Sequence, residues 1–534
     1  MTPNELLKLK SPTLAGTIAL TLLDPQAVQF SPDDALYLKF HGIYPQDDRD
    51  VRKSGKRPIL MVRCRIPGGT LSAAQYLAID DLATLYANNT LRVTSRQGLQ
   101  FHGVLKGNIR ALIKSINATL VTTLAACGDN NRNVMAPPAP ASGGIADQVR
   151  RHASEVAAAL APQTPAYHAI WIDEVQIPLN EDFTDPLYGK TYLPRKFKVA
   201  FAIPPVNDVD IFTNCCGFIA IVDAGGQLLG YNLLAGGGMG RGHGNKATFP
   251  RLADVIGFLP AERAVDVARA VLTVHRDFGD RNSRKHARLK YVLEEKGAAW
   301  FRGELEGRLG WALDPARPFQ FETQSDLFGW HAQADGRLSL GLFVETGRIQ
   351  GEFKKALRRV IAEYQPAIRL TPANNVILCD VAPDHRAGID AVLAGLDRGS
   401  VLRRASMACV ALPTCSYAVA ESERFLPQLM GRIETALQEA GLPDQEIHIR
   451  MTGCPNGCAR PYMAEIAFVG KAPGVYQMWL GGNVASTRLN RLYRDAVKDA
   501  DIIGVLGPLF ERFAKERQPA EAFGDWAARA VEYP

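Results

Sequence analysis

Met61-Val-Arg63-Cys-Arg65-Ile66, then Pro67-Gly68-Gly69, then Ser72 to Ala87, opens the pattern that sets the fold. A strand over Met61 to Ile66, a tight turn and a helix over Ser72 to Ala87 lead into strands Leu91 to Thr94 and Leu99 to Val104 and a helix Asn108 to Ala118. The order is β-α-β-β-α. It returns as strand Leu338 to Val344, helix Glu352 to Glu363, strands Ala367 to Thr371 and Asn375 to Cys379, and helix His385 to Ala394. Arg92-Val-Thr94 and Arg369-Leu-Thr371 fall at equivalent places, so the chain is expected to contain an internal duplication whose copies pair as pseudo-twofold halves of one central domain.

A second echo joins the middle to the end. Lys196-Phe-Lys198 leads into the apolar run Val199 to Ile203 and a hairpin from Phe218 that ends at Gly236-Gly237-Gly238. Ile447-His-Ile-Arg-Met451 leads into a cysteine-bearing loop and a hairpin Glu465 to Trp479 that ends at Gly481-Gly482. The expected class is therefore α+β, a duplicated βαββα domain flanked by two related α/β domains. The expected divisions are an N-terminal arm over 1–60, a first half over 61–124, an α/β domain over 125–325, a second half over 326–395 and a second α/β domain over 396–534. Within the arm, Lys39 to Asp50 is too charged for a core strand and reads as a segment packed over other domains.

The length of 534 residues suits about three or four domains, and 47% apolar with 22% charged residues is ordinary for a globular protein. The net charge of +6 comes without a dense Lys/Arg block, which argues against a nucleic-acid arm and for anionic ligands. Nine cysteines are too sparse, and odd in number, for a disulfide scaffold, which points to a reducing compartment. Leu14 to Leu23 is about half the length needed to cross a bilayer, and it lacks a small-x-small cleavage site, so it reads as ordered arm. Cys64, Cys127, Cys215, Cys216 and Cys379 sit in apolar or strand-like surroundings and are assigned to structure. The glycine run Gly236 to Lys246 does not match a dinucleotide fingerprint and suits a nest for another anion.

The other four thiols form two pairs, Cys409 with Cys415 and Cys454 with Cys458. The second pair lies in Thr452-Gly-Cys-Pro-Asn-Gly-Cys458, where small residues let backbone N–H groups close round an inorganic core; the first pair precedes a helix expected over Ala418 to Ala440, whose N-terminus would favour thiolates. These spacings leave an iron–sulfur cubane, a zinc site and plain buried thiols open, and the cubane fits best. Basic side chains recur beside strands and glycine loops: Arg63 and Arg65, Arg92 and Arg96, Arg132, and Lys196 with Lys198, whose i, i+2 spacing puts both on one face of a strand. On four separate elements they suit a polyanionic cofactor plus a small anion.

The stretches Lys39-Phe-His-Gly-Ile-Tyr-Pro-Gln-Asp-Asp-Arg-Asp50, Arg96-Gln-Gly-Leu-Gln-Phe-His-Gly103, Thr191-Tyr-Leu-Pro-Arg-Lys-Phe-Lys198, His243-Gly-Asn-Lys246, Ser406-Met-Ala-Cys409 and Thr452 to Cys458 resemble the sirohaem- and iron–sulfur-containing sulfite and nitrite reductases. Within that family the resemblance is strongest to the haemoprotein (beta) subunits of the assimilatory NADPH-dependent branch, and it runs from about Leu14 to the C-terminus. It implies an oxidoreductase that takes sulfite to sulfide with six electrons, for cysteine biosynthesis. A ferredoxin-dependent nitrite reductase is the alternative within the family, and a zinc-stabilised RNA-binding module the alternative outside it.

The resemblance further implies sirohaem and a 4Fe–4S cluster at the domain junction, the cluster on Cys409, Cys415, Cys454 and Cys458 with Cys458 also on the sirohaem iron. Residues 125–325 would then bind sirohaem and 396–534 ligate both centres. Arg63, Arg92, Arg96, Gln100, His102, Arg132 and Lys246 match positions that hold or shape the sirohaem site, with Asn374 standing where Gln is familiar. Arg63, Arg132, Lys196 and Lys198 match the catalytic positions that hold the substrate anion. Electrons would come from a flavoprotein reductase subunit or a ferredoxin, in the cytoplasm, with neither nucleic acid nor membrane as partner.

Overall fold

The computed structural model describes residues 1–55, 57–140, 144–167, 170–172, 175–177 and 183–534. At its centre are two five-stranded sheets. One runs Ile43–Asp47, Pro58–Arg63, Leu99–Val104, Leu91–Val93, Arg348–Ile349; the other runs Gly329–Ala332, Leu338–Leu342, Val376–Val381, Ala367–Leu370, Thr70–Leu71. Each sheet is completed by a short strand from the opposite copy, with Arg348 paired to Arg92 and Thr70 paired to Arg369. This exchange accounts for the duplication acting as one body. Phe101 and Leu99 from one copy and Ile368 and Leu378 from the other are fully buried in a common core, each worth roughly 1.5–3 kcal/mol of burial.

Helices Ala73–Tyr86 and Gly351–Tyr364 lie at equivalent places in the two copies. The first starts where its sequence dictates: Ser72 accepts from the Gln75 N–H at 3.2 Å while the Gln75 side chain accepts from the Ser72 N–H at 3.0 Å, a reciprocal cap. The segment Lys39 to Asp50 differs from expectation. Ile43–Asp47 pairs with Pro58–Arg63 as an edge strand, a place where charged side chains are tolerated because one side faces solvent.

The flanking units share a plan. In the middle unit Val199–Ala202 runs parallel to Cys216–Val222, which continues antiparallel through Leu228–Ala235 and Asp254–Pro260. In the C-terminal unit Ile449–Thr452 runs parallel to Ile466–Ala472, continuing antiparallel through Val475–Leu480 and Arg491–Lys498. A constant sequence offset pairs Val199 with Ile449 and Cys216 with Ile466. Ser406–Ala408 adds a parallel strand beside Ile449–Thr452, and the bridges Asn131 to Phe197 and Met135 to Ala200 trace its counterpart. Among the described residues no helix is long and apolar enough to cross a membrane.

Candidate active site at the junction of the units

The loops after the two parallel strands meet the central sheets, and the four paired thiols converge there. Burial pushes the Cys409 thiol up, and Cys458 and Cys454 add to it; burial and then Cys458 raise Cys415; burial and then Cys458 push Cys454 up to about 12. Mutual repulsion of this kind requires the thiols to be close neighbours. Backbone N–H groups are aimed at their sulfurs: Gly453 donates to Cys409 Sγ at 3.3 Å, Tyr417 and Ala418 donate to Cys415, and Asn456 to Cys454. Gly453 is obligatory, because a Cβ there would lie 2.5 Å from both the Ala411 Cβ and the Ala420 carbonyl oxygen.

The helix expected from Ala418 begins instead at Leu426. Pro427 belongs in a first turn and cannot sit in a helix interior, so residues 409–425 form an irregular loop, and its amides at Tyr417 and Ala418 serve Cys415 in place of a helix N-terminus. Among the described residues no group of three or more His, Cys, Asp or Glu could hold a single metal ion.

Beside the thiols lies a cationic cradle. Lys196 and Lys198 immediately precede the strand Val199–Ala202, with Phe197 buried between them, so both ammonium stems lie on the other side of the backbone. Burial pushes Lys196 well below the ordinary lysine value, and Arg195 and Arg288 push it further while Cys458 opposes them. Lys198 is lowered by burial, then by Arg96, Lys196 and Arg288. Neither ammonium has a hydrogen bond or ion pair among the described residues.

Burial weighs against the Arg63 charge, but Cys127, Tyr44, Cys458 and Cys415 outweigh it. Once its amide is oriented to suit its neighbours, Gln100 accepts from Arg63 Nε at 2.9 Å and Nη2 at 2.6 Å and donates to His102 Nε2 at 3.2 Å. Arg132 is anchored by Nε to the Gly128 carbonyl at 3.0 Å. His102 is held neutral by burial and then by Arg348, Arg92 and Arg63.

Whether these residues suit a large anionic cofactor can be tested on their unmet polar atoms. Both amide atoms of Asn130 and of Asn131, Nε of Arg96, Nδ1 of His102 and Oδ1 of Asn374 are buried without a hydrogen-bond partner among the described residues. A buried polar group left unmet costs about 1–3 kcal/mol, and the donors among these atoms, Nδ2 of Asn130 and Asn131 and Nε of Arg96, fit a ligand that carries carboxylates.

Two expected residues sit differently. Arg92 is committed within the protein, to Glu423 at 2.8 Å and to the carbonyls of Thr346 at 3.0 Å and Ala408 at 2.8 Å, which locks the residue before Cys409. Lys246 is exposed on the glycine loop. Asn374 Nδ2 donates to the Val93 carbonyl at 2.8 Å, joining the two halves.

Other residues were invisible to pattern reading. Arg49, in the N-terminal arm, donates to the carbonyls of Cys415 at 2.7 Å and Ala418 at 2.6 Å. Glu423 also accepts from Arg348 at 2.7 Å, and Asp129 takes a bidentate contact from Arg284 at 2.8 and 3.1 Å. Asp210 and Arg460 were missed as well, although the offset between the flanking units matches one to the other.

The same offset shows what became of the second cradle that duplication creates. Lys196 and Lys198 correspond to Glu446 and His448, Arg132 to Arg404 when counted from the bridge of Met135 to Ala200, and Arg96 to Ala373 through the matched Arg-x-Thr stretches. Those four counterparts line one cavity of about 190 Å³. Of these four positions one carries a cation, Arg404, and one a carboxylate, Glu446.

Residues 153–313 match the nitrite and sulphite reductase 4Fe-4S domain, and residues 53–119 and 331–396 match the nitrite/sulfite reductase ferredoxin-like half domain. A "sulfite reductase [NADPH] hemoprotein beta-component" of Myxococcus xanthus is 47% identical over 99% of this chain and 96% of its own length. Proteins of the same description from Staphylococcus saprophyticus (45%, covering 98% and 95%) and Methylobacterium nodulans (48%, covering 99% and 90%) are similar. The solved structure of the Mycobacterium tuberculosis NirA protein superposes with a TM-score of 0.83 at 25% identity, covering 99% of this chain and 96% of that one. With both domain models matched and a relative 47% identical over 99% of its length, the chain belongs to the nitrite and sulphite reductase family.

Proposed function

We propose that this chain is the haemoprotein component of an assimilatory sulfite reductase, reducing sulfite to sulfide with electrons that a flavoprotein partner draws from NADPH in the cytoplasm. The observation that carries the reading is the pair Lys196 and Lys198, two side-chain amines with no carboxylate to balance them among the described residues, beside Arg63, Arg132 and Cys458. A buried cation without a partner is costly, and a small multivalent anion supplies what is missing.

Cys409, Cys415, Cys454 and Cys458 would hold the 4Fe–4S cluster, with Cys458 shared with the sirohaem iron, and Arg96, Gln100, His102 and Asn374 would border the macrocycle. When bound, the two centres supply the redox chemistry that no side chain can. The residues do the rest. Arg63 and Arg132 keep fixed positive charge toward the substrate oxygens, each lost as water, while Lys196 and Lys198, already driven toward release of a proton by burial and neighbouring cations, supply protons to those oxygens. Glu423 and Arg92 keep the Cys409 strand end still.

Purified protein tests this. A coloured preparation with iron and labile sulfide, turning over sulfite with an artificial low-potential donor and coupling to NADPH through a flavoprotein, is the expected outcome. Colourless protein, or turnover of nitrite with none of sulfite, overturns it; coupling to reduced ferredoxin alone overturns the donor.

A further inference from the structure

Arg460 lies two residues beyond Cys458, is 3% exposed, and has a left-handed backbone at φ 52°. Its guanidinium reaches three units of the fold. Nε donates to Asp210 in the middle unit, Nη1 to the Ser95 carbonyl at 2.7 Å in the first half, and Nη2 to the Pro372 carbonyl at 3.0 Å in the second half. Ser95 and Pro372 are the residues that follow the matched Arg-x-Thr stretches, so the guanidinium spans equivalent carbonyls of the two copies. Asp210 is the counterpart of Arg460 itself: it too precedes a short 3-10 turn and is left-handed, at φ 46°. The pair therefore sits where all the pseudo-twofold relations cross.

Asp210 is fully buried and is also held by Arg450 at 2.7 and 3.2 Å and by Ser486 at 2.5 Å. The contact is reciprocal at the thiol loop, because Ser95 Oγ donates to the Cys458 carbonyl at 2.8 Å while the Ser95 carbonyl accepts from Arg460. The glycine loop adds a third tie, Arg241 N–H to the Pro455 carbonyl at 2.9 Å.

We propose that Arg460 is a positioning residue for the thiolate of Cys458: clamped to Ser95, Pro372 and Asp210, it fixes the loop so that this one sulfur serves both redox centres. The proposal rests on the cofactor reading above. Arg460 touches neither thiol nor cradle, and its planar fork with donors in fixed directions is what three partners in three directions require. A lysine keeps the charge and loses that geometry.

Arg460→Lys separates the roles, with Ser95→Ala as a milder break of the same clamp should the first variant fold poorly. Iron, labile sulfide and sirohaem content are measured first, then magnetic coupling between cluster and haem by electron paramagnetic resonance, then kcat and KM for sulfite with an artificial donor. The expected result is near-complete cofactor content, weakened coupling, kcat down tenfold or more in Arg460→Lys and a few-fold in Ser95→Ala, and KM within twofold. Unchanged coupling and kcat in both variants overturn the proposal, as does a loss confined to KM. A wild-type protein lacking both chromophores would instead overturn the cofactor reading, so the two failures are distinguishable.

Discussion

Replacing Lys198 by Met removes one cation from the cradle while filling the same volume. Lys198 has no acceptor of its own among the described residues and is crowded by Arg96, Lys196 and Arg288, so the substitution breaks no internal bond and relieves repulsion. Stability is expected to hold or rise. The loss falls on the anion. A charge-assisted contact contributes about 1.5–3 kcal/mol, and the underlying attraction at about 4 Å with an effective dielectric of about 20 is near 4 kcal/mol per pair of unit charges, doubled for a dianion before desolvation takes its share. Sulfite, largely dianionic near neutral pH, is expected to lose about 10- to 100-fold in kcat/KM, and nitrite, a monoanion, markedly less. The assay compares both substrates in one preparation with an artificial low-potential donor, which bypasses partner docking. A sulfite-to-nitrite ratio equal to that of the wild type would show that Lys198 does not select the substrate, and the reasoning from unpaired charge would fall with it.

Cys458→Ser is expected to abolish visible absorption from both centres, and Cys216→Ser, whose thiol is buried and pushed well up by burial, to leave it intact; retention of both chromophores in the first variant would refute the ligand assignment. Arg49→Met removes two donors from the Cys415 and Ala418 carbonyls; discounted for the partly open setting, roughly 2 kcal/mol is lost, so cluster loss to an iron chelator should run about thirtyfold faster, and an unchanged rate would place the arm outside the cluster's support. His275 is fully buried, held down to about 4 by burial, and stacked on Phe197 between the two lysines. Its folded value lies below the unfolded one, so its contribution is complete above about pH 6.5 and is lost as pH falls toward 4. Denaturant titrations should show about 3 kcal/mol lost over that window, and His275→Gln should flatten the slope; an unaltered slope would assign the acid sensitivity elsewhere.

The β-α-β-β-α repeat was legible because strand and helix periods are local, and Leu99–Val104 forms as the alternation places it. Ile43–Asp47 was missed because composition speaks for burial and says nothing of pairing, and an edge strand may carry charge. The helix expected from Ala418 starts at Leu426, where Pro427 marks a first turn. At the site, cysteine spacing and the Lys-x-Lys pair were readable because the chemistry lies within a few residues. The bond from Arg92 to Glu423 was not readable, because Glu423 lies in another unit. Long-range ion pairs leave no local trace.

The duplication sharpens this point. An evenly doubled scaffold would present two cationic cradles, and the burial and mutual repulsion that depress Lys196 and Lys198 would be incurred twice. The chain holds this charge on one side, where Cys458 and the unmet amides also lie. On the other side the counterparts of the lysines are Glu446 and His448, and Ser325 donates to Glu446 at 2.7 Å. Between them, Asp210 and Arg460 occupy one equivalent position with opposite charges, an ion pair that identical halves could not form. The loss of symmetry that silences one cradle thus also supplies the clamp that holds the thiol loop of the other.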